Sequence, residues 1–313
     1  MKKEFFSYDQ QLKNLEEKGL IILNKEYAET KLKQISYYSL ISGYKAPFKD
    51  GPSGYYVRGV TFEEIVKFYY FDEQLRHLFL KHILHVERQL KSLLSYHFCE
   101  MYGEKQTKYL NAKNYEGDED EIKKMVSLIK TAVSPKSQYP YIVHFNKEYN
   151  NVPLWVAMNA LTFGNVSAMY QYSKPNIKTK VSKNYDGINE KDLQRFISVI
   201  ANCRNVCAHG ERLFQYNSDK KTIPDTKLHS IMNLAKKKEQ YKQGKKDLFA
   251  VVIALRYLIE ESDFKEFIKQ LKELVDGVIN NCSHISEEQL YKYMGFPNNW
   301  SKITSYKKSQ IIK

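Results

Sequence analysis

The longest periodic stretch of the chain begins at Thr61 and continues to about Tyr96. Thr61 and Glu64 have the spacing of a capping box, which marks the first turn of a helix. Apolar residues then recur at three- and four-residue intervals, which predicts a single helix on the order of 50 Å long. A helix of that length favours an all-α fold in which shorter helices pack along a central one.

Helical periodicity continues through most of the remaining chain, and the sequence has no internal repeat and no strand-rich stretch. Two short helices interrupted by Gly19 are predicted in residues 4–33, and Gly and Pro residues over 49–60 are typical of a loop or short hairpin. We therefore expect a small helical appendage with a loop over residues 1–60. Residues 61–313 should form a helical domain with a basic insertion around 217–246 and further helices after it.

Composition limits the class of protein. Hydrophobic residues make up 42% of the chain and charged residues 27%, and no apolar run approaches the roughly 20 residues that cross a bilayer. The four cysteines form no paired Cys-x-x-Cys motifs, so neither a disulfide framework nor a zinc finger is indicated. The first residues turn polar before a signal-peptide core develops. We expect a cytoplasmic protein that does not bind membranes.

Basic charge is concentrated in the second half of the chain. Residues 151–313 have 26 basic and 16 acidic side chains, a net +10, whereas residues 1–150 have a net +3. A field of this sign attracts polyanions, and nucleic acid is the common one in the cytosol. Genome bias and solubility are the alternative explanation for a lysine-rich composition.

The segment 217–246, which we call the lysine-rich segment, has nine lysines and only three acidic residues. It is the best candidate for contacts with RNA phosphates. A solvated helix face or a flexible insertion is the alternative. The residues predicted to bind RNA here are Lys220, Lys221, Lys236, Lys237, Lys238, Lys245 and Lys246.

The stretch from Cys203 to Phe214 combines an arginine, an amide and a histidine in Arg204, Asn205 and His209. The apolar residues before it recur at helical spacing, with Asn189 placed as an N-cap and Gly210 as a C-terminal stop. At about 100° per residue, Asn205 and His209 share one helix face and Arg204 points elsewhere. This geometry suggests that one chain does not complete a site.

These three residue types suffice for RNA cleavage, because RNA supplies its own nucleophile in the 2′-hydroxyl group. His209 is a candidate general base or acid near neutral pH. Arg204 is a candidate for holding phosphate oxygens, and Asn205 for orienting His209 or bonding a phosphate. No metal or other cofactor is required. The products would carry a 2′,3′-cyclic phosphate, and DNA would be spared because it lacks the 2′-hydroxyl.

Two other groups of residues allow more than one interpretation. Tyr37, Tyr38 and Tyr44 are candidates for stacking on unpaired bases, or for core packing with a hydrogen-bonded hydroxyl. His82 and His85 have a spacing that suits a metal ion, but no third ligand is evident, so we expect solvent-facing or hydrogen-bonded histidines. Asp72 and Arg76 are spaced as a helical ion pair.

Several short blocks resemble, in order along nearly the whole chain, the Abi-like (AbiD/AbiF) abortive-infection family. Arg204-Asn205 with His209 resembles the R-x4-6-H motif of HEPN ribonucleases. Gln215 and Ser39 depart from the asparagine and arginine that are common in the family. The other blocks are Cys207-Ala208-His209 with Arg212-Leu213-Phe214, Tyr37-Tyr38-Ser39-Leu40-Ile41-Ser42-Gly43-Tyr44 with Pro47-Phe48, Phe71-Asp72 with Leu75-Arg76, Pro153-Leu154-Trp155 with Phe163-Gly164, and Met294-Gly295-Phe296-Pro297 with Trp300.

The resemblance implies an all-helical HEPN fold and a homodimer in which two R-x4-6-H motifs face each other. It also implies a toxin of phage defence with a structured small non-coding RNA as partner. We expect that RNA on the basic half of the chain, with Arg212 among its contacts.

Two functions follow from the sequence. The first is a metal-independent endoribonuclease that is held or guided by its small RNA and cleaves a target RNA. The second is a non-cleaving RNA-binding protein whose motif serves dimerisation or RNA contact. A DNA-binding regulator fits less well, because no helix-turn-helix with a clear recognition helix is found, and no DNA specificity is expected.

Overall fold

The computed structural model describes residues 4–312 and confirms the all-α prediction, with fifteen α-helices in that range. One small antiparallel ladder joins Lys236–Lys237 (β1) to Gln240–Tyr241 (β2). The helices are α1 (Tyr8–Glu17), α2 (Lys25–Ile35), α3 (Phe62–Tyr102), α4 (Gln106–Tyr109), α5 (Glu119–Ala132), α6 (Pro140–Tyr149), α7 (Leu154–Ala160), α8 (Phe163–Tyr172), α9 (Pro175–Ser182), α10 (Glu190–Ala208), α11 (Lys227–Ile231), α12 (Leu248–Leu258), α13 (Glu261–Asn281), α14 (Glu287–Met294) and α15 (Lys308–Ile311).

Helix α3 is the central element, as predicted, and it is longer than expected because it continues to Tyr102. Thr61 and Glu64 form the predicted capping box at its start. With 41 residues it is about 60 Å long. Helices α7, α8, α9, α10 and α13 all pack along it. A helix surrounded in this way is buried on more than one side, which is why its apolar stripe is broad.

Helix α10 carries the Arg204 motif at its C-terminal end and packs against α3, α8, α9 and α12. The side chain of Asn189 caps its N-terminus by accepting from the backbone N–H of Asp192, as predicted. The helix ends at Ala208, and Gly210 follows with a φ of 68°, the left-handed conformation expected at this stop.

The N-terminal residues fold as two helices separated by Gly19, in agreement with the prediction. Residues Tyr38–Ser42 form one π-helical turn, and short 3-10 turns follow at Ala46–Phe48 and Gly51–Ser53. Helix α2 and the Tyr38–Ser42 turn both pack on α3. The hydrophobic core continues from Leu12 to Ile311 without a break at residue 60. The division of the chain at that residue stays a prediction.

The lysine-rich segment contains little regular structure: the single turn-and-a-half of α11 and the two-residue strands β1 and β2. Helices α12 and α13 follow it, and every residue of α12 is buried. Within residues 4–312, no helix is both long enough and apolar enough to cross a bilayer.

Candidate functional site

The side chains of Asn205 and His209 lie exposed at the end of α10. His209 caps this helix, and its backbone N–H donates to the carbonyl oxygen of Asn205 over 2.9 Å. Among residues 4–312, neither side chain has a hydrogen-bond partner. Both are therefore available to a ligand on the same side of the helix.

Arg204 points toward α3 instead. Its Nε lies 3.4 Å from Glu87 Oε2, and its side chain is 29% exposed. Glu87 is buried, and its other carboxylate oxygen lies 2.8 Å from Lys91 Nζ. Glu87 thus provides a counter-charge beside Arg204 without a hydrogen bond to its Nε, and the guanidinium N–H groups remain able to donate to an oxyanion.

Asp72, on α3, holds the loop that follows His209. Its carboxylate is 0% exposed and accepts from the backbone N–H of Leu213 over 3.1 Å and of Phe214 over 2.7 Å. Arg76 and Tyr44 also donate to it, each over 2.7 Å. We call Tyr44, Asp72, Arg76 and residues 211–214 the Asp72 clamp.

The clamp is connected on both sides. Arg76 also donates to the Tyr44 hydroxyl over 3.1 Å and to the carbonyl oxygen of Glu211 over 3.3 Å. Burial raises the pKa of Asp72, while the charge of Arg76 and the donated hydrogen bonds act in the opposite direction. Burial beside Asp72 also raises the pKa of the Tyr44 hydroxyl, which keeps it a hydrogen-bond donor. This network fixes the backbone within four residues of His209.

A cavity of about 710 Å³ opens beside the clamp. His209 and Arg212 line one side, and Tyr38, Ser42 and Tyr69 line the other. The turn at Tyr38–Ser42 and the loop after α10 are therefore neighbours across this cavity, although they are more than 160 residues apart in sequence. Arg212 joins the two sides by donating to the carbonyl oxygen of Gly43 over 3.4 Å.

The structure brings together some of the predicted site residues and separates others. His209, Arg212, Tyr38 and Tyr44 line the same cavity. Arg204 and Asn205 are on α10 but outside that lining. The ring of Tyr38 is 76% exposed and is therefore free to stack on a base.

Tyr44 requires a correction. It is only 2% exposed, and its ring lies between Phe68, Tyr69 and Phe214, at centroid distances of 6.0, 5.2 and 5.7 Å. The prediction that Tyr44 stacks on a base is therefore wrong. Tyr44 instead packs in the core with a hydrogen-bonded hydroxyl, which was the alternative interpretation. Tyr37 is half-buried, so only part of its ring can meet a ligand.

The predicted RNA-binding lysines differ in how exposed their side chains are and in whether their charges are paired. Lys245 is mostly buried and bonds Asp225, so its charge is already paired. Lys236 lies 4.8 Å from the centre of the Tyr241 ring. The lysines with exposed side chains are Lys220, Lys221, Lys236, Lys237, Lys238 and Lys246.

His82 was expected to face solvent or to form hydrogen bonds, and that expectation was wrong. It is 2% exposed, and among the described residues neither ring nitrogen has a partner. Its ring packs 5.1 Å from that of Phe267. Burial lowers the pKa of His82 to about 4. No group of three or more His, Cys, Asp or Glu in residues 4–312 is arranged to hold a metal ion.

Sequence reasoning missed two roles. It paired Asp72 with Arg76, which is confirmed at 2.7 Å, but not with the backbone of residues 213 and 214. It also gave Glu87 no function. Only its place on α3 four residues before Lys91 indicated a paired carboxylate, and nothing in the pattern pointed to Arg204.

Residues 30–215 match the sequence model of the family described as Abi-like protein, which is more than half of the chain. The chain belongs to the Abi-like protein family. The matched range contains the whole Asp72 clamp and the Arg204–His209 motif, and it ends before the lysine-rich segment. Membership suggests a part in abortive infection, a form of phage defence. Searches of curated proteins and of solved structures found no match.

Proposed function

We propose that this Abi-like protein is a phage-defence toxin that acts as an endoribonuclease through His209 and Arg204. The observation that carries the proposal is His209 itself. Its side chain is exposed and free, and its backbone is fixed between α10 and the Asp72 clamp at the edge of a cavity. A histidine held in this manner suits proton transfer to or from a bound substrate.

In the proposed reaction, His209 accepts the proton of a ribose 2′-hydroxyl as that oxygen attacks the adjacent phosphorus atom. Arg204 donates to a non-bridging phosphate oxygen and stabilises the charge that develops on the phosphorane. The bond from phosphorus to the 5′-oxygen then breaks, that oxygen takes up a proton from water, and His209 releases the proton it accepted to solvent. The products are a 2′,3′-cyclic phosphate and a 5′-hydroxyl. Because RNA supplies the nucleophile, the step requires no metal ion.

A second copy of the chain is part of the proposal. Arg204 is turned toward Glu87, whereas Asn205 and His209 face outward. A two-fold arrangement of two α10 ends would add a second arginine and histidine to each site. We expect light scattering to give the mass of a dimer, with or without RNA, and a monomer mass under both conditions would refute this part.

The proposed partner is a structured small RNA bound by the lysine-rich segment. Eight of its nine lysines are exposed, which supports this assignment because phosphate contacts need cationic side chains that reach solvent. Sequencing the RNA that copurifies with the protein from its native host would identify this partner.

Cleavage is tested with purified protein, labelled single-stranded RNA and EDTA. We expect cyclic-phosphate products from the unaltered protein and a loss of at least about 100-fold in rate for His209→Ala and for Arg204→Ala. Matched controls are His144→Ala, an exposed histidine on α6, and Arg58→Ala, an exposed arginine in the N-terminal loop. Both should cleave at the unaltered rate.

The same assay decides the second candidate, a non-cleaving RNA-binding protein. The contact between Arg204 and Glu87 favours this candidate, because it gives Arg204 a structural partner. Tight RNA binding without any cyclic-phosphate product would support it and refute the ribonuclease.

A further inference from the structure

The cavity beside His209 continues into a second one. The second cavity has a volume of about 460 Å³ and is lined by residues that include Lys242, Lys292 and Tyr293. Gln215, Tyr216 and Asn217 line both cavities. We call the two together the trough, which extends from His209 to the C-terminal end of α14.

The shared floor of the trough is held by buried contacts. The Tyr216 hydroxyl lies 3.1 Å from the carbonyl oxygen of Val199 and 2.9 Å from Asn202 Oδ1, both on α10. The backbone of Asn217 pairs with that of Asp247, and the Asp72 clamp anchors residues 213 and 214 just before the floor. A floor fixed at both ends loses little freedom when a ligand binds.

The lining has no net charge. Three cationic side chains are offset by three carboxylates, and one of these carboxylates, that of Asp247, already accepts from the backbone N–H groups of Gly244 and Ala250. The charged residues of the trough apart from His209 are Arg212, Lys242, Lys292, Glu211, Asp247 and Glu288. Such a surface is poorly suited to a duplex, which proteins bind largely through its phosphates.

The uncharged lining suits unpaired bases instead. It includes the exposed ring of Tyr38 and the half-buried ring of Tyr293, which packs 5.6 Å from that of Phe214. It also includes the side-chain amides of Gln34, Gln215, Gln243 and Asn298. Aromatic rings stack on any unpaired base, and amides hydrogen-bond to base edges.

We propose that the trough binds the unpaired bases of an RNA strand that extends from His209, with Tyr38 stacking on a base and Gln215 bonding to a base edge. The choice of RNA as the ligand rests on the proposed function. The trough then restricts the RNA that reaches His209 to single strands, and Gln215 determines which base is preferred there. The lysine-rich segment, in contrast, contacts phosphates.

The test measures binding apart from cleavage. Fluorescence anisotropy is recorded with short single-stranded 2′-O-methyl RNA, which has no free 2′-hydroxyl and is not cleaved. We expect Tyr38→Ala to weaken binding about tenfold, in the range found for the loss of one stacked base. Gln215→Ala should change the order of affinities among the four homopolymers. Tyr55→Ala, which also removes an exposed tyrosine, should bind as the unaltered protein does.

The proposal is overturned if Tyr38→Ala binds as tightly as Tyr55→Ala, or if duplex RNA competes as well as the single strand. Cleavage of unmodified RNA is measured in parallel. Binding that depends on Tyr38 without any cleavage would support the trough and refute the ribonuclease. Cleavage that depends on His209 but not on Tyr38 would support the ribonuclease and refute the trough.

Discussion

The last residues of the Asp72 clamp come just before the lysine-rich segment in the chain, but the two regions are built in different ways. The side chains of Tyr44, Asp72 and Arg76 in the clamp are buried, and the fully enclosed carboxylate of Asp72 accepts hydrogen bonds from two side chains and two backbone N–H groups. The lysine-rich segment exposes eight of its nine lysines and contains one short helix and two short strands.

The two regions suit two different roles, positioning a reacting group and attracting a polyanion. A residue that fixes the position of a reacting group must itself be fixed, which requires burial and several partners. A residue that attracts a polyanion must keep its charge in solvent and unpaired. We therefore expect changes in the clamp to affect both stability and activity, and changes in the lysine-rich segment to affect the salt dependence of RNA binding.

The largest effect is expected for Asp72→Ala. The change leaves the buried Arg76 without its counter-charge and leaves the N–H groups of Leu213 and Phe214 without an acceptor. We expect the free energy of unfolding to fall by about 3–5 kcal/mol in urea titrations. Asp225→Ala, in the lysine-rich segment, removes a partly exposed pair with Lys245 and should cost less than about 1 kcal/mol. Equal losses in the free energy of unfolding for the two variants would contradict the view that the clamp contributes more to stability than the lysine-rich segment.

The second effect is on the pH dependence of stability, and it arises from His229, a buried residue within the lysine-rich segment. His229 is 0% exposed. Its Nε2–H donates to the carbonyl oxygen of Gly244 over 2.8 Å, and its Nδ1 accepts from the N–H of Thr226 over 3.1 Å. Burial lowers its pKa from 6.5 to about 4. The neutral ring satisfies both bonds, whereas a protonated ring would lose the second.

Because the unfolded chain takes up the proton first, stability falls as the pH decreases from 6.5 toward 4. His229 alone should cost about 2 kcal/mol between pH 7 and pH 5. Urea titrations at the two pH values should show this loss reduced in His229→Gln. The exposed His144→Gln variant should keep the full pH dependence, and an unchanged dependence in His229→Gln would contradict the prediction.

A third change tests whether the local turn also holds His209. Gly210→Ala places a side chain at a φ of 68°, so we expect a loss of about 1 kcal/mol in stability and slower cleavage. Gly277 provides the matched control, because it lies within α13 with no atom near its missing Cβ. Gly277→Ala should stabilise the protein by up to about 1 kcal/mol. Normal cleavage by Gly210→Ala would mean that the clamp alone positions His209.

The smallest effect on stability is expected for the triple variant Lys236→Ala, Lys237→Ala and Lys238→Ala. Unfolding should change by less than about 0.5 kcal/mol, since these side chains are exposed. In anisotropy titrations across salt concentrations, the slope of log affinity should decrease by roughly 0.7 for each lysine that contacts single-stranded RNA. A triple change of the exposed Lys124, Lys130 and Lys136 should leave that slope as it is.

Local features were predictable from the sequence because local chemistry determines them. The capping box at Thr61, the N-cap at Asn189 and the stop at Gly210 each depend on a few adjacent residues. The pairing of Asp72 with Arg76 follows in the same way from helical spacing.

The contacts that complete the site were not predictable, because they join distant residues. Nothing in the spacing of α3 residues indicates that Asp72 accepts from Phe214, or that Glu87 meets Arg204. The burial of Tyr44 was unpredictable for the same reason, because the tyrosine side chain suits both a protein core and a base-stacking surface. Its burial depends on which helices surround it.

The bonds of Asp72 to Leu213 and Phe214 span 141 and 142 residues. During synthesis, α3 leaves the ribosome long before Leu213 and Phe214 are added to the chain. Until then, the carboxylate of Asp72 lacks its two backbone donors. The loop beside His209 takes its final shape only after about two-thirds of the chain has been made. The Asp72 clamp therefore cannot form until residue 214 has been added to the growing chain.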